Sequence, residues 1–174
     1  MKKNLGVIIG LVVAGVLGRF LAPWPNFTPV LAAALFAGAH ISDKKWAFLV
    51  PIVTMIITDL FIGFYPDMVF QYVSLALVVL LGSSIKKVRF ANVFLTAVAA
   101  SALFFLISNF GVWAIDAFGI YPDNFSGLLL CYEMGIPFAA NSFLGDIAYS
   151  AILFGGFALA QRFAPKLVMV PVKA

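Results

Sequence analysis

Apolar runs of roughly 15 to 26 residues follow one another along this chain with only short interruptions. A run of that length carries a helix across most or all of a hydrocarbon layer about 30 Å thick. Bounded by their breakers, the runs are Leu5–Leu21, Phe27–Ile41, Trp46–Phe64, Met68–Ile85, Phe90–Ile115 and Phe143–Phe163. The first closes on Ala22-Pro23-Trp24-Pro25, the second is short and alanine-rich, and the third contains Pro51. Between the fifth and sixth lies a long connection, Asp116–Ser142, whose apolar stretch Gly127–Cys131 is too short to span, so a partial or interfacial helix is expected there. The expected fold is all-α: one membrane domain over residues 1–174, built as a bundle of six transmembrane helices.

Composition agrees. Of the 174 residues, 64% are apolar and 10% charged, against about 45–50% and about 25% in soluble domains. A soluble enzyme, a nucleic-acid-binding domain and a disordered chain are all excluded on that ground. Met1-Lys2-Lys3 before an apolar run resembles a secretion signal, but Arg19 follows the run and no small-x-small cleavage site is evident. The segment reads as a retained first helix.

The net charge of +4 is a statement about orientation. Lys2 and Lys3, Lys44 and Lys45, Lys86, Lys87 and Arg89, and Arg162, Lys166 and Lys173 all fall on one side of a six-span chain. The opposite connections carry Asp67, Asp116, Asp123 and Glu133 and no Lys or Arg, while Asp43 is the only acid on the basic side. Under the positive-inside rule both termini are cytoplasmic, with the partial helix in the last outer loop.

Three charges remain inside the spans: Arg19, Asp59 and Asp146. By helix rise they occupy a similar layer, toward the outer ends of their spans. A charge in lipid is costly, so these groups should face the bundle interior. Two readings stand side by side: a structural ion pair of Arg19 with Asp59 or Asp146, and the wall of an outward-facing pocket. Asn26, Asn109 and Asn141 lie near the same level and extend the polar set. Trp24, Trp113 and Tyr132 are the aromatic candidates for a substrate site, in or beside loops long enough to close over it. Most of the other aromatics near the outer ends read as an interfacial belt.

Gly6, Gly10, Ala14 and Gly18 place a small residue at every fourth position of the first span. Such a stripe allows close helix approach, either within the bundle or against a partner subunit. Enzyme chemistry lacks its parts. There is no phosphate-cradling GxxxxGK[ST] run, His40 is the only histidine, and no G-x-S-x-G occurs. Cys131 is the only cysteine, so no intrachain disulfide forms. It reads either as a small apolar filler or as a soft ligand to a metal carried in by a cofactor.

Pro25-Asn26-Phe27-Thr28-Pro29-Val30, Ala34-Leu35-Phe36-Ala37-Gly38-Ala39, and Pro51 through Asp59 and Gly63 resemble the S component of energy-coupling factor (ECF) vitamin transporters. This is the membrane-embedded substrate-binding subunit. Asn109-Phe110-Gly111-Val112-Trp113, and Pro137-Phe138 to Asn141 with Gly145-Asp146, are similar to a smaller, uncharacterised bacterial family grouped with S components. The resemblance implies uptake of a vitamin or cofactor-like molecule from an outer pocket. It implies that Gly6, Gly10, Ala14 and Gly18 dock on a transmembrane T component driven by separate ATPases. It also points to a solitary group that takes up vitamin B12, in which a cysteine coordinates cobalt. Cys131 would fill that role, with cobalamin as transported substrate rather than intrinsic cofactor. Two other classes compete: a ligand-free membrane scaffold or assembly subunit, and an ion-coupled small carrier using Asp59 and Asp146.

Overall fold

The computed structural model describes residues 2–163, and shows six helices and no strand among them. They are α1 (Lys2–Phe20), α2 (Val30–His40), α3 (Lys44–Ile62), α4 (Met68–Ser84), α5 (Phe90–Ile115) and α6 (Phe125–Phe163). Lys166 and Lys173, which the charge argument uses, lie outside the described residues. Three helices, α3, α5 and α6, are long and apolar enough to cross a membrane. Their outward surfaces are apolar as well: Leu60 and Phe61 on α3, Leu95 and Leu106 on α5, and Leu144 and Ile152 on α6 are all exposed. A surface of that kind is suited to lipid.

Two elements differ from the expected pattern, each for a local reason. The second helix begins at Val30 rather than Phe27. Pro29 biases Thr28 away from helical backbone, and Pro23 and Pro25 stiffen the approach. Asn26 adopts a left-handed conformation, φ 63°. The 11 residues of α2 rise only about 16 Å. Residues 21–29 therefore stay non-helical alongside the bundle.

The second difference is α6. The expected partial helix and the expected sixth span are one helix of 39 residues. Pro137 lies inside it and removes one backbone donor without ending it. The long connection over 116–142 thereby shrinks to 116–124, and that turn is tightly bonded. Asp116 takes a left-handed backbone, φ 34°, and its carboxylate accepts the Ile120 and Tyr121 N–H groups at 2.9 and 3.1 Å. Asn124 Oδ1 accepts the Gly127 N–H at 3.1 Å, satisfying a donor in the first turn of α6.

α2 is the centre of the molecule and packs against all five other helices. Its composition is suited to this place, because Ala32, Ala33, Ala34, Ala37 and Gly38 let neighbours approach closely. The closest approach is to α4, through a reciprocal pair of glycines. A Cβ on Gly38 would collide with the Val79 carbonyl, and a Cβ on Gly82 with the Leu35 carbonyl. Both obstacles are backbone, which cannot rotate aside. Gly6 and Gly10 of α1, by contrast, have open space where a Cβ would go. Gly38→Ala or Gly82→Ala is expected to cost about 1–3 kcal/mol. Gly6→Ala and Gly10→Ala should change stability by less than about 0.5 kcal/mol. Thermal unfolding of the four variants in detergent checks the contrast.

Candidate functional site

A cavity of about 640 Å³ lies among α1, α4, α5, α6 and the non-helical segment before α2. Its position follows from a mismatch between α5 and α6, which run antiparallel. The Cys131 thiol donates to the Asn109 carbonyl at 3.3 Å, and farther along Ser101 Oγ donates to Asp146 Oδ2 at 2.7 Å. Between these two contacts α6 advances fifteen residues, about 22 Å, while α5 advances eight, about 12 Å. α6 therefore carries more helix than α5 over this stretch, and Pro137 sits in it. This part of α6 supplies one wall: Gly135, Ile136, Phe138, Ala139, Ser142 and Phe143 line the space.

Phe104, Phe105, Ser108 and Asn109 of α5 also line it, with Gln71 and Leu75 of α4. Asn26 and Thr28 come from the non-helical approach to α2. Arg19, in the last turn of α1, and Asp146 of α6 are the two charged groups on the wall.

The sequence candidates separate into three groups. Arg19, Asn26, Asn109 and Asp146 line the cavity. Asp59 is fully buried behind it and pairs with Arg19 at 2.6 Å. Arg19 and Asp146 therefore share the cavity, but the ion pair is Arg19 with Asp59. Trp24, Trp113, Tyr132 and Asn141 are not on its wall. Trp24 is exposed and packs edge-on against Phe27, with ring centres 5.4 Å apart. Trp113 Nε1 donates to the Pro122 carbonyl at 3.1 Å and so pins the α5–α6 turn. The Tyr132 hydroxyl donates to the Leu106 carbonyl at 2.9 Å, beside a separate apolar groove.

Cys131 is buried and turned to backbone, away from the cavity wall. Of the small-residue stripe, Gly6, Gly10 and Ala14 are exposed, whereas Gly18 meets the Pro29 ring. The bundle-facing glycine of α1 is Gly15, placed against the Thr54 side chain.

Residues 1–167 match a family whose function is unknown. The chain belongs to that family, DUF6580. No curated protein and no solved structure matches the chain.

Several groups at the site are not apparent from a search for charges alone. Arg19 Nη1 also meets Thr58 Oγ1 and, at 3.2 Å, Met55 Sδ. The second oxygen of Asp59 accepts the Tyr72 hydroxyl at 2.9 Å. One buried carboxylate thus ties α1, α3 and α4 together, with both oxygens engaged. In the α3–α4 connection, burial reinforced by Asp59 pushes the Tyr65 phenol up to about 12. Its neutral hydroxyl donates to Gln71 Oε1 at 3.0 Å and steadies a cavity-lining side chain. Polar residues isolated within apolar helices, such as Tyr72 and Ser101, were the available signal for these partners.

Removing one member of a buried ion pair strands the other. Arg19→Met is therefore expected to lower stability by about 3–5 kcal/mol. Adding Asp59→Asn should recover most of that loss, because no buried charge is then left unpaired. Unfolding of the wild type, both single variants and the double variant completes the cycle. Simple additivity of the two single losses would show that the pair is not coupled.

Proposed function

We propose that this protein is a small-molecule uptake protein of the S-component type, in a bacterial inner membrane. In this reading six helices span the bilayer, both termini are cytoplasmic, and the cavity faces outward. The observation that carries it is the cavity: about 640 Å³, mainly apolar, with a few polar groups on its wall. Small-molecule sites occupy about 300–1,000 Å³ and have that character.

The charge pattern supports the orientation. The cavity lies toward the end of the bundle bearing the α1–α2, α3–α4 and α5–α6 connections, and no Lys or Arg occurs in those connections. By the positive-inside rule that end is external. The exposed Gly6, Gly10 and Ala14 offer a smooth α1 face to a transmembrane partner such as a T component, whose ATPases would supply the energy. Movement of substrate would come from reorientation of the bundle, without catalysis.

A ligand smaller than cobalamin has the better support. The volume corresponds to about twenty water molecules. A corrin with its nucleotide tail exceeds this volume, and Cys131 is not placed to reach a bound metal from the cavity wall. The scaffold reading draws on one specific feature, the closed Arg19–Asp59 pair, but gives the cavity no role.

A thermal-shift screen of purified protein against vitamins and cofactors, cobalamin included, tests the proposal. A true ligand present at 100 times its Kd raises stability by about 2.7 kcal/mol. Stabilisation by none of them would favour the scaffold. Gly10→Leu is expected to abolish cellular uptake while leaving ligand stabilisation intact, because it blocks the outer face of α1 and leaves the cavity untouched. Labelling of single cysteines placed at Lys87 and Asp123 in intact cells checks the orientation: only the second should react with an impermeant reagent.

A further inference from the structure

Asp146 is only 2% exposed, lines the cavity, and is under-satisfied. Among the described residues it makes one hydrogen bond, from Ser101 Oγ to its Oδ2. That hydroxyl has a single proton and also lies 3.0 Å from the Ala97 carbonyl, so the one donor is shared between two acceptors. The other oxygen, Oδ1, has no partner among the described residues.

Among the described residues no cation answers it: Arg19 is the only basic residue of these on the cavity wall, and its Nη1 is engaged with Asp59, Thr58 and Met55. With the Arg19 and Asp59 charges balanced against each other, Asp146 is the one charge facing the cavity that the protein leaves unbalanced. A buried carboxylate in this state is costly: it takes up a proton or is met by something positive or strongly hydrogen-bond-donating. Around it the wall carries the rings of Phe104, Phe105, Phe138 and Phe143. Aromatic faces attract organic cations and accept flat ring systems.

We infer that the cavity selects an organic cation: a small molecule with an apolar ring body and a protonated amine, amidine or similar nitrogen group that pairs with Asp146. The inference rests on the reading of the cavity as a ligand site. An anionic substrate is disfavoured, since its charge would meet Asp146 while the Arg19 charge is already balanced.

The test uses full-length protein in nanodiscs of zwitterionic lipid, with empty nanodiscs as the control for partitioning. Three indoles of similar shape serve as probes: tryptamine (cationic), tryptophol (neutral) and indole-3-acetate (anionic). Equilibrium dialysis on the wild type is expected to give tryptamine an affinity about tenfold or more above indole-3-acetate, as a charge-assisted hydrogen bond implies. Asp146→Asn should remove that preference and leave tryptophol within about twofold of its wild-type affinity.

The wild-type ranking stands without any variant, so a misfolded Asp146→Asn does not spoil the test. Equal binding of all three probes, or preference for the anion, would overturn the cationic assignment and leave the cavity standing as a ligand site. Retention of the cation preference in a folded Asp146→Asn would also overturn it. Binding of none of the three to the wild type would count against the cavity as an organic-ligand site, and so against both readings.

Discussion

Backbone N–H and C=O groups cannot go unpaired in hydrocarbon, so a chain within a bilayer leaves the helical state only where protein or a polar space receives those groups. Residues 21–29 leave the helical state beside the cavity. Pro23, Pro25 and Pro29 keep the segment out of a helix, and α2, which follows, rises only about 16 Å. Asn26 and Thr28 of this segment line the cavity. The backbone of Phe27 lies against Gly145, where an added Cβ would stand 3.2 Å away. The prolines, the short central helix and the cavity are thus consequences of one another. A full-length second helix would fill the space that Asn26 and Thr28 now border.

The α5–α6 pair supplies the other walls, since residues within 135–143 of α6 and within 104–109 of α5 line the cavity. Between the Cys131–Asn109 contact and the Asp146–Ser101 contact, α6 carries about 10 Å more helix than α5 does. Pro137 lies in that excess, where the proline removes one backbone donor and crowds the preceding turn. The Trp113–Pro122 and Asp116 hydrogen bonds then brace the turn at the head of this hairpin.

How much of this could be read in the sequence differs between elements. The starts of α4 and α5 lie where apolar runs meet their breakers, because charges and turn residues bound those runs on both sides. The join between the partial helix and the last span was not legible: Gly135, Pro137 and Asn141 together look like a break, and only packing against α5 shows that the helix continues through them. A pairing of Arg19 with Asp59 or Asp146 was legible by depth alone, though not which of the two. The isolation of Asp146 was not, since depth gives a layer and not an azimuth. The stripe on α1 has the same limit. A repeat every four residues tells that small residues share a face but not which way that face points. Gly15, one position beyond Ala14, proves to be the glycine that meets the bundle.

Azimuth has a functional consequence for α1. Ile8, Leu11 and Gly15 face inward, and Gly6, Gly10 and Ala14 lie on the other side of the same helix. Arg19 ends that helix with its guanidinium at the cavity and at Asp59. A single rigid element therefore joins an open, smooth outer surface to the charged edge of the cavity. Asp59 locks the helix to α3, and through Tyr72 to α4, so α1 cannot turn about its own axis without breaking buried hydrogen bonds. A partner bound to the outer face would find a helix that moves with α3 and α4 or not at all. Under the proposed uptake function, force applied at Gly6 and Gly10 would reach the cavity as displacement of the whole bundle.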